Sequence, residues 1–280
     1  MNPIIRRPVK GDTWVIDVDG VLWLAGEAIP GSAAAVSILR EFGVRTVFAT
    51  NNSVLTVDEL RERLFRIGVE CPREDVVTSA QAAAKLVGVG ATALVVAGAG
   101  VVEALEARSV RVLRVPQLSG RGERLEPGSR EHVDVVVVGW SREFDYETLR
   151  TAAGVLRAGA KLIATNDDPT YPTPGGLIPG AGSILAAVTT ASGAVAEIAG
   201  KPHSPIARLI EDRYSGIKVV VGDRASTDGE LARRLGVPFA LVLSGVTSEA
   251  GAREGTLEGT MDVSVTAADL YSLVETFRSS

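Results

Sequence analysis

The sequence predicts an α/β protein built from parallel sheets, with a second α/β unit beside the first. Short β-branched runs alternate with helical patterns almost throughout the chain, as they do where crossover helices join parallel strands. The runs fall into two groups, and 280 residues suffice for two modest domains, each with a substantial core. The third observation is the segment Trp14-Val-Ile-Asp17-Val-Asp19-Gly20-Val-Leu-Trp23, in which an apolar run ends in two acids and a glycine turn. The carboxyl end of a buried strand is where open α/β sheets bind ligands.

In chain order, strands are predicted at 14–17, 45–50, 93–97, 110–115, 133–139, 161–165, 217–221 and 239–243, each a short apolar, mostly β-branched run. Between them, Thr56-Val-Asp-Glu59 reads as a capping box that opens a helix to about Ile67. Leu149, Ala152, Ala153 and Leu156 form a helical stripe. Ser204-Pro205 has the N-cap and first-turn proline of another helix start. Leu270, Leu273, Val274 and Phe277 give the last helix its apolar face. Residues 118–130, rich in Gly, Arg and Glu, read as a surface loop. Residues 166–182, with Asp-Asp-Pro, Pro-Thr-Pro-Gly-Gly and Pro-Gly-Ala-Gly, read as a long structureless connection, a kind of loop that is usually functional. The chain has no repeat of fixed period and no low-complexity tract.

Composition excludes several function classes. With 46% apolar residues the chain is not a disordered one. It carries 29 basic and 34 acidic residues, a net charge of -5, and no basic run that could track a phosphate backbone, so no nucleic-acid partner is expected. Residues 1–10 lack the apolar core of a targeting signal, and no uninterrupted apolar segment approaches the ~18 residues of a membrane span. A cytoplasmic protein without a membrane partner is expected. Cys71 is the single cysteine, which excludes an internal disulfide and a thiolate metal cluster. His132 and His203 are too few for a histidine-based metal site. A bound metal would therefore take oxygen ligands, which favours a hard cation such as Mg²⁺.

The acid pair is the strongest chemical signal. Side chains alternate along a strand, so Asp17 and Asp19 can face one pocket if the strand geometry persists through Val18. Two close anions repel unless a cation or a proton separates them. A turn or N-cap aspartate would account for one acid but not for both. Three further segments place polar groups after apolar runs. Thr50-Asn51-Asn52 offers a hydroxyl and successive backbone N–H groups suited to a phosphate oxygen. Gly200-Lys201-Pro202 sets a cation in a tight turn, and Gly222-Asp223-Arg224-Ala-Ser-Thr227-Asp228-Gly229 ends a strand with two more acids. Taken singly, each is also an ordinary turn or strand exit.

Their order changes that judgement. Asp-x-Asp-Gly, Thr-Asn-Asn, Gly-Lys-Pro and Gly-Asp-Arg-x-x-Thr-Asp, in this sequence, form the motif set of the haloacid dehalogenase superfamily, and the chain resembles a phosphatase of that group. Asp17-Val-Asp-Gly-Val-Leu-Trp23, Ala49-Thr-Asn-Asn52, Ala164-Thr-Asn-Asp-Asp168, Pro179-Gly-Ala-Gly-Ser183, Gly200-Lys-Pro202 and Val242-Leu-Ser-Gly-Val-Thr247 are similar to its NagD-like, 4-nitrophenylphosphatase branch with a large cap (class IIA). These matches run from about residue 13 to the C-terminus. The resemblance implies a Rossmann-like core with a parallel sheet, formed by 1–78 and 183–280, and an inserted α/β cap formed by 79–182. It departs from the family pattern at Gly229, where a bulkier apolar residue is frequent and glycine is expected to loosen the next helix by up to ~1 kcal/mol.

What the resemblance implies for chemistry is a Mg²⁺-dependent hydrolysis of small phosphate monoesters through an aspartyl-phosphate. Asp17 would be the nucleophile and Asp19 the general acid and base. Asp17, the Asp19 backbone carbonyl and Asp223 would hold the metal, which screens the carboxylate from the phosphate dianion. Thr50, the Asn51 N–H and Lys201 would bind the phosphate oxygens. Asp228 would support the metal waters or Lys201 from the second layer, and Asn52 would order its turn or meet the cap. Tyr171, held among prolines after the final cap strand, would set substrate preference. The partner implied is a small phosphorylated metabolite, among which nucleotides, sugar or glycerol phosphates, phosphoglycolate and pyridoxal phosphate stay open. A homodimer through the cap also stays open.

Two other readings compete, a phosphoacceptor signalling domain and a non-catalytic phosphate-binding protein. An acid/base at position 19 hastens loss of an acyl phosphate, which a signalling domain would not favour, and a silent scaffold would be expected to have lost one of Asp17, Asp19, Lys201 or Asp223. The segment Val95-Val-Ala-Gly98-Ala-Gly100-Val-Val-Glu103 resembles half a dinucleotide fingerprint, yet Glu103 stands where the third glycine would be, so a strand-to-helix turn is expected. Trp23 is expected to pack under the cap hinge, and His203 to sit in an exposed loop. Cys71 precedes Pro72 in a turn without a histidine nearby in sequence to activate it.

Overall fold

In the computed structural model the described residues are 5–24, 26–115, 123–124, 131–173, 175–245 and 263–278. The first strand, β1 (Thr13–Asp17), is buried along its whole length. That is the condition of a parallel strand covered on both faces, and it explains the aromatic and β-branched residues there. A short hairpin of β2 (Trp23–Leu24) and β3 (Glu27–Ala28) follows, then α1 (Ser32–Glu41), β4 (Arg45–Thr50) and α2 (Val57–Arg66). The capping box before α2 forms as expected. The Glu59 N–H donates to Thr56 Oγ1 at 3.2 Å and the Thr56 N–H to Glu59 Oε2 at 2.8 Å, which satisfies two otherwise orphaned donors.

The chain continues through β5 (Val76–Thr78), α3 (Ser79–Leu86), β6 (Thr92–Val96), α4 (Ala99–Glu106), β7 (Arg111–Arg114), β8 (Glu123–Arg124), β9 (Val135–Val138), α5 (Tyr146–Arg157) and β10 (Lys161–Ala164). Next come β11 (Thr170–Thr173), β12 (Gly176–Pro179), α6 (Ala181–Ser192) and β13 (Ala196–Ile198). The last stretch is α7 (Ser204–Arg213), β14 (Ile217–Gly222), α8 (Glu230–Leu235), β15 (Phe239–Val242), β16 (Val265–Ala267) and a C-terminal helix, α9 (Leu270–Arg278). All eight strands predicted from the apolar runs are present, with ends shifted by no more than two residues.

The chain divides into two compact units. Met1–Thr50, Arg61–Val77 and Lys201–Ser280 make the first; Asn51–Leu60 and Thr78–Gly200 make the second. The first unit is built on a sheet of six strands in the order β16-β15-β14-β1-β4-β5. From β1 the chain builds outward through β4 and β5 on one side and returns later to add β14, β15 and β16 on the other. β1 runs parallel to both neighbours, with Asp17 opposite Ala49 and Ile16 opposite Val221. The direction of winding thus reverses beside β1, and such a switch point is where the carboxyl ends of parallel strands leave a ligand crevice. Leu270, Leu273 and Val274 of α9 are buried, and Phe277 meets Trp14 edge to face with ring centroids 6.0 Å apart.

The second unit has its own six-stranded sheet, in the order β13-β10-β9-β6-β7-β8, again parallel. Its core includes Leu94, Val96, Leu113, Val136, Val138, Ala152, Leu156, Leu162 and Val188, with Leu149 packed at the edge. The stripe read on α5 is therefore its inward face. Gly98 and Gly100 serve packing here. A Cβ on Gly100 would stand 2.1 Å from the Leu55 carbonyl oxygen, and the Gly100 N–H donates to the Val54 carbonyl at 2.9 Å. Glu103 accepts from the Val57 N–H at 2.8 Å. The glycine-rich turn is filled by the 53–57 segment of the same unit.

Three expectations are corrected. Residues 166–182 are not structureless, because β11 and β12 pair as an antiparallel hairpin, Tyr171 opposite Ile178 and Pro172 opposite Leu177. Proline is tolerated in such an isolated two-stranded ribbon, where each strand has a free edge and a missing N–H breaks no ladder on that side. The α7 N-cap is His203 rather than Ser204, which is already the first helical residue, and His203 is half-buried rather than exposed. Gly229 ends a π-helical turn, Ala225–Gly229, that leads into α8. The expected loop at 118–130 lies outside the described residues except for β8, and so do Pro174 and the Val246-Thr247 end of the last motif. Among the described residues, no helix is long and apolar enough to cross a membrane.

Candidate active site

The first unit gathers acids and one amine at the carboxyl edge of its sheet. Asp17 is the last residue of β1, so a strand buried along its whole length fixes its backbone. Thr50 ends β4, Asp223 follows β14, and Asp228 lies in the π-helical turn before α8. Lys201 precedes α7 and reaches this edge with its whole side chain buried. Gly20 turns the chain after the acid pair with φ +88°, and a Cβ there would stand 2.4 Å from Asp223 Oδ2. On the other side, a Cβ on Gly245 would stand 2.0 Å from the same oxygen. The Asp223 carboxylate occupies the space that two absent side chains leave.

Lys201 is the hub of the charges. Its Nζ donates to Asp17 Oδ1 at 2.5 Å, to Asp228 Oδ1 at 2.7 Å and to the Ala49 carbonyl at 3.1 Å. Only 3% of Lys201 and 7% of Asp17 is exposed, so these are charge-assisted bonds away from water. Burial alone would lower the Lys201 ammonium, but the carboxylates of Asp17 and Asp228 overcome it and hold the amine above the ordinary lysine range. Asp17 moves the other way from a salt-bridged surface acid. Burial pushes its carboxyl well above the usual range and the Asp228 charge adds to this, while Lys201 opposes them.

Asp19 has different surroundings. Its Oδ1 accepts the Trp23 indole N–H at 2.8 Å, and its Oδ2 accepts the Thr50 hydroxyl at 3.3 Å. Burial raises its carboxyl, with the Trp23 hydrogen bond and the Lys201 charge acting against that. The Trp23 ring is buried, and beyond packing its one polar atom is spent on Asp19.

A hard cation suits this donor set. Carboxylate oxygens of Asp17, Asp223 and Asp228 all lie within 4.8 Å of one another, and all three residues are buried. The donors are carboxylate oxygens, which Mg²⁺ prefers, and an ion among them would offset their mutual repulsion. The Asp19 carboxylate is not among this trio; it is turned to Trp23 and Thr50.

The remaining candidates belong to the second unit. The Asn51 side chain donates to Asp168 Oδ2 at 2.9 Å, and its carbonyl accepts from Ser79 Oγ and Asn166 Nδ2. Asn52 orders its turn, its Oδ1 accepting the backbone N–H groups of Val54 and Leu55. Tyr171 lies on β11, half-buried, with its ring centroid 5.7 Å from that of Trp140, whose indole N–H donates to the Pro179 carbonyl. Cys71 is buried in the first unit, and burial pushes its thiol up, the opposite of an activated nucleophile.

The chain is similar to known proteins over most of its length. Residues 14–111 match the family described as haloacid dehalogenase-like hydrolase, and residues 198–270 match the one described as HAD-hydrolase-like. D-glycerol 3-phosphate phosphatase of Mycobacterium tuberculosis is 37% identical over 85% of this chain, which spans 64% of that relative's own length. Dihydroxyacetone phosphatase of Corynebacterium glutamicum is 33% identical over 86% of this chain and 84% of its own. Among solved structures, the p-nitrophenyl phosphatase of Archaeoglobus fulgidus superposes with a TM-score of 0.82 at 26% identity, covering 96% of this chain and 100% of that one. The M. tuberculosis glycerol phosphate phosphatase in complex with magnesium superposes with a TM-score of 0.79 at 33% identity, covering 94% and 76%.

The Lys201 hub makes a stability prediction. Removing one partner of a buried ion pair typically costs about 3–5 kcal/mol, so Lys201→Met in metal-free buffer should lower the urea midpoint by an equivalent amount. Adding Asp228→Asn should return part of the loss, because the orphaned charge is then gone. Equal midpoints for wild type and Lys201→Met would contradict the hub.

Proposed function

Because this chain belongs to the haloacid dehalogenase-like hydrolases, we propose that it is a Mg²⁺-dependent phosphatase that hydrolyses small phosphate monoesters through an aspartyl-phosphate on Asp17. The observation that carries this reading is the buried Asp17 carboxylate at the end of the central strand, with the Lys201 ammonium 2.5 Å from its Oδ1 and two further carboxylates beside it. A carboxylate so placed can attack phosphorus only where its charge and that of the phosphate are offset. Lys201 supplies one positive charge. Asp17, Asp223 and the Asp19 backbone carbonyl would hold Mg²⁺, which when bound supplies the charge that screens a phosphate dianion.

The chain's own groups then account for both displacements. In the first, a carboxylate oxygen of Asp17 bonds to phosphorus as the bond to the ester oxygen breaks, and that oxygen leaves with the electron pair and a proton from Asp19. In the second, water attacks the phosphorus of the aspartyl-phosphate and gives its proton to Asp19, which returns Asp17 as a carboxylate and releases inorganic phosphate. The Thr50 hydroxyl, the N–H of the next residue, Asn51, and the Lys201 charge are the groups proposed to hold the non-bridging oxygens. Asp228 keeps Lys201 in place.

The relatives named for glycerol 3-phosphate and dihydroxyacetone support a three-carbon phosphate as the first substrate to try. The testing experiment is turnover of the purified protein with Mg²⁺ across a panel of phosphate esters that includes glycerol phosphates, sugar phosphates, nucleotides and 4-nitrophenyl phosphate. Failure to hydrolyse any of them would overturn the proposal. On the same panel, Asp17→Asn should abolish turnover, because an amide is a far weaker nucleophile. Asp19→Asn should lower kcat/KM by about 10²–10⁴-fold on alkyl esters and much less on the nitrophenyl ester, because a nitrophenolate leaves with little need of a proton and kcat/KM excludes the later attack of water. Equal losses on both esters would remove Asp19 from the role of acid.

Tyr171 is proposed to set preference among leaving groups. Tyr171→Ala is expected to change the ranking of esters by kcat/KM while the rate of aspartyl-phosphate breakdown stays as it was, since the leaving group has gone by then. An unchanged ranking would confine Tyr171 to packing on Trp140.

A further inference from the structure

The segment between the acid pair and β2 closes on itself tightly. The Gly20 N–H donates to the Trp23 carbonyl at 2.6 Å, the Leu22 and Trp23 N–H groups both donate to the Val18 carbonyl, and Asp19 and Trp23 form an isolated bridge. Trp23 then enters β2, opposite Ala28. The indole is thus delivered to the Asp19 carboxylate by backbone that has little room to move, and its Nε1 lies 2.8 Å from Oδ1. Only 4% of Trp23 is exposed, so the bond is made where water is largely excluded.

We propose that Trp23 is a positioning residue for catalysis, its indole N–H holding Asp19 Oδ1 so that Oδ2 is the oxygen that carries the proton to the leaving group and takes it back from water. The inference rests on the reading of Asp19 as the general acid and base. An indole nitrogen is a donor only, so a hydrogen on Oδ1 would weaken the bond that Trp23 makes there. The partner of Oδ2 is of another kind. The Thr50 hydroxyl, 3.3 Å away, can donate to a carboxylate and accept from a carboxylic acid, so it serves both protonation states by rotating. One oxygen is held by a fixed donor and the other is attended by a group that can reverse. Proton transfer demands a defined oxygen and direction as well as a suitable acid, and Trp23 provides the first two. The electron and proton balance of the two displacements is unchanged; what the inference adds is the atom through which the proton passes.

The test compares Trp23→Phe and Asp19→Asn on an alkyl ester, glycerol 3-phosphate, and on 4-nitrophenyl phosphate, both with Mg²⁺. Trp23→Phe keeps an aromatic ring and loses the N–H. It should lower kcat/KM, which stops short of the aspartyl-phosphate breakdown that both esters share, by roughly tenfold on the alkyl ester, a part of the about 10²–10⁴-fold that general acid catalysis supplies, and by less than about threefold on the nitrophenyl ester. Trp23→3-benzothienylalanine, which keeps the ring shape and exchanges the N–H for sulfur, should give the same selective loss, and it stands in if Trp23→Phe does not fold. A loss of equal size on both esters would make Trp23 merely structural and overturn the inference. So would wild-type rates on both. If Asp19→Asn is leaving-group selective and neither Trp23 variant is, the inference alone fails. If Asp19→Asn is itself unselective, the reading beneath it fails as well.

Discussion

Burying three carboxylates at the edge of one sheet is costly, and most of the first unit's architecture at that edge answers this cost. Asp17, Asp223 and Asp228 lie with their oxygens within 4.8 Å of one another, and a single buried ammonium, Lys201, joins two of them. Three residues at this edge, two of the acids and a hydroxyl, come from the ends of strands. Asp17 ends β1, Thr50 ends β4 and Asp223 follows β14, and the register of these strands in the sheet brings the three ends level. Parallel strands, outward winding on both sides of β1 and glycines against Asp223 all serve to concentrate like charge at this edge. Such an arrangement favours a ligand that brings its own cation or that reacts with the crowded acid.

The same sheet edge treats its two leading acids differently. Asp17 is bonded to a permanent cation and faces other carboxylates, whereas Asp19 meets an indole N–H and a hydroxyl, both neutral. Neighbouring carboxyl groups held in unlike surroundings take unlike roles, and only Asp17 of this pair is bonded to a cation. A phosphoacceptor that must preserve its acyl phosphate has no use for a general acid and base at Asp19, which is the physical reason to favour turnover over signalling.

Much of this was legible in the sequence. Parallel-strand cores require continuous apolar runs, so Val-Val-Val-Val at 135–138 or Trp-Val-Ile before Asp17 announce their strands without knowledge of the partners. Asp17, Thr50, Lys201, Asp223 and Asp228 stood out because each follows an apolar run or a turn in a fixed order, and the first unit brings them to one edge. The misses have a common cause, that a residue's partner lies far along the chain or in the less conspicuous part of its side chain. Trp23 was read by the bulk of its ring rather than by its N–H. The hairpin at 170–179 was hidden by prolines, which argue against strands in a wide sheet but not in a two-stranded ribbon. The bond from Asn51 to Asp168 joins residues 117 apart, and no local pattern reports it. The spacing of Asp19 and Trp23, four residues across a glycine turn, was the one available sign of their contact.

The account turns on Asp17 as the group that bonds to phosphorus beside a bound cation. A crystal structure of the protein grown with Mg²⁺ and beryllium fluoride, which mimics a phosphoryl group on a carboxylate, tests this most directly. The account predicts a tetrahedral beryllium fluoride joined to a carboxylate oxygen of Asp17, with the metal ligated by Asp17 and Asp223. An adduct on Asp19, Asp223 or Asp228, or a metal bound without Asp17, would contradict it.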